Sequence, residues 1–327
     1  MLFDDESATD LSVNYVPIAG PAFVPARIEM KPGEKQFWRV VNSCAHTILD
    51  LQFQYDGIVQ KMDLVALDSV PIGSQDGSGR GRSVERTHIL LPPAGRAEFI
   101  MTGPSAGVLD ARFLTEAVTT GPLGDVDPTR TLLLIETSTL GAKAADITTV
   151  PAASGPPPME RFAGLAQAKP TAIRKLYFSE DDNYFYITVN GQTPKPFHMD
   201  DPPSIVTTQG SVEDWTIENR AMENHEFHMH QLHFLTLAQN GRILPPEQQQ
   251  FRDTVDIPYW PGIGPYPSVT LRMDFRGPDV GDFVYHCHIL DHEDGGMMAI
   301  IRVLPRTNPP GEGQAQATAA ARSQSKR

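Results

Sequence analysis

The stretch FVYHCHILDHEDGGMM, residues 283–298, decides how the chain folds and what it holds. Phe283 to Ile289 reads as a strand, so alternation puts His286 and His288 on one face and sends Cys287 to the other. One strand then serves two sites. On the cysteine side, His292 and Met297 follow at distances that a loop folds back, adding an imidazole and a thioether to the thiol.

A second cluster precedes it in NHEFHMHQLHF, residues 224–234, where His228 and His230 are spaced to share one face of a strand or extended loop. Facing segments would gather His228, His230, His286 and His288 as a group of imidazoles. His225 would join Cys287, His292 and Met297 at a separate metal. Cys with two His and a weak axial Met is the ligand field of a blue-copper electron-transfer centre, and imidazole suits copper in the other group as well. Imidazole alone does not choose between copper and zinc, so zinc on the two HxH pairs stays open. His233 reads as a satisfied strand histidine, and His46, His88 and His198 fall outside both groups.

Around these segments the chain is a series of short strands. Residues 46–55, HTILDLQFQY, alternate, with Leu49, Leu51, Phe53 and Tyr55 on one face. Similar runs lie at 36–41, 97–101, 111–114 and 131–136, and again at 175–178, 184–189, 212–219, 233–238 and 269–275. Gly, Pro, Asp and Ser clusters separate them at the spacing of a β-sandwich. The 29 prolines and 26 glycines fit this all-β reading. The length of 327 residues suits two domains. The expected order is a domain without metal ligands over 1–140, a Pro/Ala/Gly-rich linker over 141–172, a metal-binding domain over 173–305 and a disordered tail over 306–327. The Gly/Ser/Arg-rich segment 76–86 reads as a long loop.

A net charge of −13 repels phosphate backbones, so nucleic acid is excluded as a partner. No stretch approaches the apolar length of a spanning helix, and MLFDDESATD lacks the basic and apolar regions of a signal peptide. Neither membrane insertion nor an export signal is expected from the chain as written. The two cysteines, Cys44 and Cys287, fall in different expected domains, so no disulfide framework holds the fold. Cys44 reads as a small buried hydrophobe.

The pattern HxxHxH followed by HCHxxxHxxxxM resembles the C-terminal copper-binding domain of three-domain multicopper oxidases. TVNGQTP (188–194), VEDWTIEN (212–219) and RDTVDIP (252–258) look like that domain too, and PGEKQFWRVVN (32–42) is similar to the family's copper-free middle domain. The resemblance implies two cupredoxin-like Greek-key β-sandwich domains. It implies His225, Cys287 and His292 as type 1 copper ligands with Met297 axial, His228 as a type 2 ligand, and His230, His286 and His288 as type 3 ligands. It makes Glu293 a candidate proton donor, and a small reducing substrate, phenolic or a metal ion, and O2 the partners. The family's first domain contributes two further HxH pairs that this sequence lacks, so another chain or a missing N-terminal domain is expected to supply them. Family likeness suggests a periplasmic or extracellular location. Two departures from the commonest motif, Glu226 where proline is usual and Gln231 after the HxH, remove no ligand. A blue-copper electron-transfer or copper-binding protein without oxidase activity is the alternative, and a remnant with an empty site is a third reading.

Overall fold

The structure is a computed structural model that describes residues 2–4, 11–75, 81–137 and 162–306. In the first half, β1 (Ala26–Met30), β2 (Lys35–Asn42), β3 (Leu49–Tyr55), β4 (Met62–Leu67), β5 (Arg96–Thr102), β6 (Ala111–Glu116) and β7 (Arg130–Thr137) form two facing sheets. One runs β4-β5-β2 and the other β3-β6-β7-β1. The alternation read at 49–55 is real: every second residue of β3 is buried. Trp38, Phe53, Phe99 and Phe113 meet between the sheets, with Phe53 and Phe113 stacked at a centroid distance of 4.4 Å. Cys44 is buried in the same core, as a packing residue.

The second half repeats the arrangement with β8 (Ala172–Glu180), β9 (Phe185–Val189), β10 (Ile205–Thr208), β11 (Val212–Asn219), β12 (His225–Met229), β13 (Phe234–Gln239), β14 (Thr254–Ile257), β15 (Ser268–Asp274), β16 (Gly281–His286), the helix α1 (Leu290–Asp294) and β17 (Met298–Leu304). The order is β9-β8-β11-β15-β13 in one sheet and β10-β17-β16-β12-β14 in the other. Both halves are therefore sandwiches with separate cores, around Trp38 in the first and Trp215 in the second.

Three expectations need correction. The strand through Ile289 stops at His286: the N–H of Cys287 still meets the carbonyl of Met297 at 3.0 Å, in register with the β16–β17 pairing, and the chain then winds into α1. Residues 84–86 of the expected loop form a short strand beside β4, while 76–80 lie outside the described residues. Of the expected linker, 141–161 lies outside them too, but its end is packed: Leu165 is fully buried against Val212, Leu235 and Phe251. The tail from 307 is also outside the described residues.

Between the second pair of sheets, Glu213 is buried and accepts from Arg174 Nε at 2.6 Å, Thr207 Oγ1 at 2.6 Å and Trp215 Nε1 at 2.9 Å. Burial pushes its carboxyl up, but the bonds from Arg174, Thr207 and Trp215 outweigh burial and hold it below the ordinary value of 4.5. A carboxyl with a depressed folded-state value contributes stability above its unfolded value and loses it as pH falls through the folded one. Unfolding free energy should therefore decline with acidification below about pH 4.5. In denaturant titrations Glu213→Gln should flatten that slope and lower stability at pH 7 by about 3 kcal/mol, since it strands a partly buried guanidinium. An unchanged acid slope in the variant would refute the assignment.

Candidate metal centre

The register of β12 against its neighbours builds the centre. β12 lies between β14 and β16, with His228 opposite His286 across one ladder and His225 opposite Ile257 across the other. Period-two geometry sends His225 with Phe227 and Met229 into the sandwich core, and Glu226 with His228 to the other face. Cys287, just beyond β16, also turns into the core. The loop that follows reverses through Gly296, whose φ of +108° and approach to Pro196, 2.7 Å from an added Cβ, leave room only for glycine.

The core-side group is compact. His225 Nδ1 and His292 Nδ1 are 2.9 Å apart, and Cys287 Sγ lies 3.9 Å from the first and 3.6 Å from the second. Met297 is fully buried in the same core, bonded through its own N–H to the carbonyl of His292. Phe185 stacks on the His292 ring at 4.4 Å and Phe178 packs on His225 at 5.2 Å. Burial holds the His292 imidazole down at about 4 and lowers that of His225. Both rings are neutral at physiological pH, with lone pairs available to a cation.

On the other face His228, His230 and His286 bring nitrogen atoms within 4.8 Å of one another, with His230 Nε2 3.1 Å from His286 Nε2. His288 stands outside this tightest group, its ring 5.2 Å from His228 and 5.3 Å from His286. His228 Nδ1 donates to the Asp253 carbonyl at 2.9 Å, and His286 Nδ1 lies 2.7 Å from the Cys287 carbonyl, which leaves each Nε2 facing inward. Burial, then the neighbouring imidazoles, hold His228 at about 3. Glu293 Oε2 lies 3.1 Å from His286 Nδ1, and the bond to His286 holds its carboxyl below the usual range against the opposing effect of burial. His230 is exposed, in a cleft lined also by His233 and Asp253.

The donor set fits copper. Buried neutral imidazoles and a sulfur converge at one point with too few protons to satisfy each other by hydrogen bonding, and soft sulfur with imidazole selects copper over hard cations. Burial pushes the free Cys287 thiol well above its usual range, and a copper ion held there would supply the charge that favours the thiolate.

Several residues around the centre gave no sequence signal. Glu180 Oε2 lies 3.5 Å from His225 Nε2, and Glu223 Oε1 lies 3.3 Å from His292 Nε2. Burial first, then the neighbouring Glu180, raises Glu223 to about 8, so this pair holds one proton at neutral pH. The first half walls the same region: Asn224 N–H donates to the Thr120 carbonyl at 2.7 Å and Leu290 N–H to the Ala45 carbonyl at 2.9 Å. His46, set aside in the sequence, sits there with Nδ1 3.8 Å from Asp125 and 3.9 Å from Asp291. Beneath the imidazole group, fully buried Asp68 accepts from the N–H of Arg96 and of Asp253, and Arg96 Nη1 donates to Asp253 at 2.7 Å. Asp253 joins the two halves while its carbonyl orients His228. His233 is likewise satisfied, against the Asp68 carbonyl at 2.8 Å. These residues act through folding of distant segments, which no spacing rule exposes.

Two β-sandwiches, the second with Cys287 and its histidines in the core, define a copper protein of the cupredoxin kind. Residues 168–307 match the sequence profile of a multicopper oxidase family. Over that region the chain is similar to the multicopper oxidases. It is similar to the multicopper oxidase mco of Staphylococcus aureus, at 28% identity over 38% of this chain and 25% of that protein. It is similar to the laccase of Bacillus subtilis (strain 168), at 24% identity over 86% of this chain and 52% of that protein. Among solved structures, the multicopper oxidase from Campylobacter jejuni, described as a metallo-oxidase, superposes with a TM-score of 0.62 at 19% identity, covering 94% of this chain and 63% of that one. The chain thus spans about half the length of the laccase. Among the described residues no helix is long and apolar enough to cross a membrane.

Asp253→Asn should weaken the bond to Arg96 and loosen the seat of His228. The expected loss is about 3 kcal/mol of unfolding free energy, because a partly buried guanidinium loses its charged partner. Chemical denaturation of both proteins at pH 7 measures it, and a loss under roughly 0.5 kcal/mol, the range of an ordinary surface change, would show that the hub carries nothing.

Proposed function

We propose that this chain provides the electron-accepting half of a copper oxidase that takes single electrons from a small reductant and passes them toward dioxygen. The observation that carries the reading is the convergence of Cys287 Sγ with two imidazole Nδ1 atoms in a closed core, one residue away in sequence from His286 and His288. In this reading His225, Cys287 and His292 with Met297 hold a type 1 copper. His228, as the type 2 ligand, and His230, His286 and His288, as type 3 ligands, are the chain's share of a trinuclear site. Copper bound there supplies one-electron acceptance at the sulfur and reduction of O2 to water at the imidazole cluster.

The chain's own residues do the remainder. Phe185 and Phe178 hold the two core imidazoles in place and keep water from the sulfur. The backbone from Cys287 to its neighbours gives electrons a covalent route between the two sites. Glu293 is ionised at rest and half-buried, so it serves as a relay, taking protons from solvent and handing them to the cluster side through its place beside His286. His230 remains exposed, so the cluster has an open side where imidazoles from another chain or domain complete it. Export to the periplasm or cell exterior fits the family but rests on likeness alone.

Copper titration tests the core of this reading. Added Cu(II) should give an intense blue absorption that Cys287→Ser abolishes. Uptake of O2 with a reductant, once the missing HxH pairs are supplied, separates an oxidase from a blue-copper protein. Blue colour without any O2 consumption in that complete form would favour the electron-transfer alternative, whose support is the self-contained sulfur site. Neither colour nor copper binding would leave the empty-site reading.

The reductant reaches the centre at the Nε2 edge of His292, where Glu223 stands, with Glu180 beside it against the buried His225 Nε2. Carboxylates at that edge favour a metal cation over an uncharged phenol. With ferrous ion as donor, Glu180→Gln combined with Glu223→Gln should raise KM about tenfold, the size of a local cation-concentrating effect, and change it much less for a neutral phenol. Equal changes for both donors would remove the preference.

A further inference from the structure

The residue after His225 is glutamate, and its backbone makes a contact that the ligand roles leave unused. Glu226 N lies 3.3 Å from Cys287 Sγ, with both residues fully buried. We propose that the Glu226 N–H is a tuning donor to the Cys287 sulfur, one that raises the reduction potential of the copper held there. The inference rests on reading Cys287 as the copper thiolate.

The geometry follows from the strand register. β12 pairs with β14 on one side and β16 on the other, and its contact with β16 ends at the His228–His286 pair. Beyond that pair β16 leaves the ladder, so the next free amide of β12 on that side meets the sulfur of Cys287 in place of a carbonyl. Its N–H is therefore not a rung of the β12–β14 ladder. The commonest form of the family motif has proline here, and proline has no N–H to give.

The effect has a definite sign. A hydrogen bond to a thiolate draws electron density away from sulfur and weakens its donation to the metal, which disfavours the more oxidised, more electron-demanding ion. Hydrogen bonding around the cysteine sulfur is a recognised lever on the potential of such sites. No solvent reaches the pair to dilute it, since Cys287, His225 and Met297 are all fully buried. The Glu226 side chain is a separate matter: it shares the opposite face with its cross-strand partner Asp256, and neither carboxyl oxygen has a hydrogen-bond partner. A test must therefore part the amide from the side chain.

Glu226→Pro removes the N–H, whereas Glu226→Ala and Glu226→Gln keep it and change the side chain. Redox titration of each full-length, copper-loaded protein, read by the blue absorption, gives the potential. At a fixed solution potential the reduced-to-oxidised ratio of Glu226→Pro should fall about tenfold below that of Glu226→Ala, which is about 59 mV for a one-electron couple. The Ala and Gln variants should agree with each other within about threefold, roughly half that shift. Equal potentials for Pro and Ala overturn the proposal. Should Glu226→Pro fail to fold, the unsubstituted chain decides: loaded with spin-half cadmium and labelled with nitrogen-15, it should show coupling between the Glu226 amide proton and the metal through sulfur. Absence of that coupling also overturns it. A chain that binds copper without blue colour refutes the thiolate assignment itself, while a blue protein whose potential ignores proline refutes this inference alone.

Discussion

The structure of the metal centre depends on a single pairing: His228 against His286 across the β12–β16 ladder. That rung sets the phase of both strands, and phase determines on which face each side chain emerges. A slip of one residue would carry His225 out of the core and bring His228 in, exchanging a dry sulfur site for an unsatisfied histidine. The β12–β16 ladder ends at the same rung, while Cys287 keeps the core-facing phase of Phe283 and Tyr285 and its N–H meets the Met297 carbonyl in register with β17. The thiol, the two core imidazoles and the return of the loop are thus consequences of one register and one early termination.

Burial then decides what each group is at neutral pH. Desolvation keeps His225, His228 and His292 uncharged, as metal binding requires, and it destabilises a free thiolate at Cys287. The folded chain therefore has a site whose nitrogen donors are ready and whose sulfur is released from its proton only by an incoming cation. Such a site couples metal uptake to proton release. The polar hub of Asp68, Arg96 and Asp253 holds the imidazole side against the first sandwich, so the half without ligands is part of the scaffold.

Much of this was legible in the sequence. Alternation at 49–55 and 212–219 located half-buried strands because a sheet face on a core leaves a period of two. The candidate ligands stood out in the sequence because ligand chemistry restricts residue type and strand geometry restricts spacing; the fold brings His225, Cys287 and His292 into one group and His228, His230 and His286 into another, with the His288 ring beside the second. The strand end at His286 was not legible, since HCHI carries no turn residue to mark where the chain leaves the ladder for α1. Nor were Glu180, Glu223, Asp68, Arg96 and Asp253. Their roles come from contacts between segments up to 185 residues apart, and a carboxylate in a strand has no local mark that distinguishes a solvated face from a ligand's neighbour.

The two faces of β12 also differ in how they meet solvent, and that difference bears on function. The sulfur side is closed: His225 and Cys287 are fully buried, and only the His292 edge comes near the surface, beside Glu223 and His46. The imidazole side is open, with His230 exposed in a cleft. A closed site suits electron exchange, which needs edge contact and little reorganisation. An open cluster of imidazoles suits added ligands or a small molecule that must enter and leave. Chains that only carry electrons have no use for the second face, where three imidazoles turn their nitrogens toward a common point, with His286 buried and His230 open to the cleft. The asymmetry of the centre is therefore a stronger argument for chemistry beyond electron transfer than the presence of any one ligand.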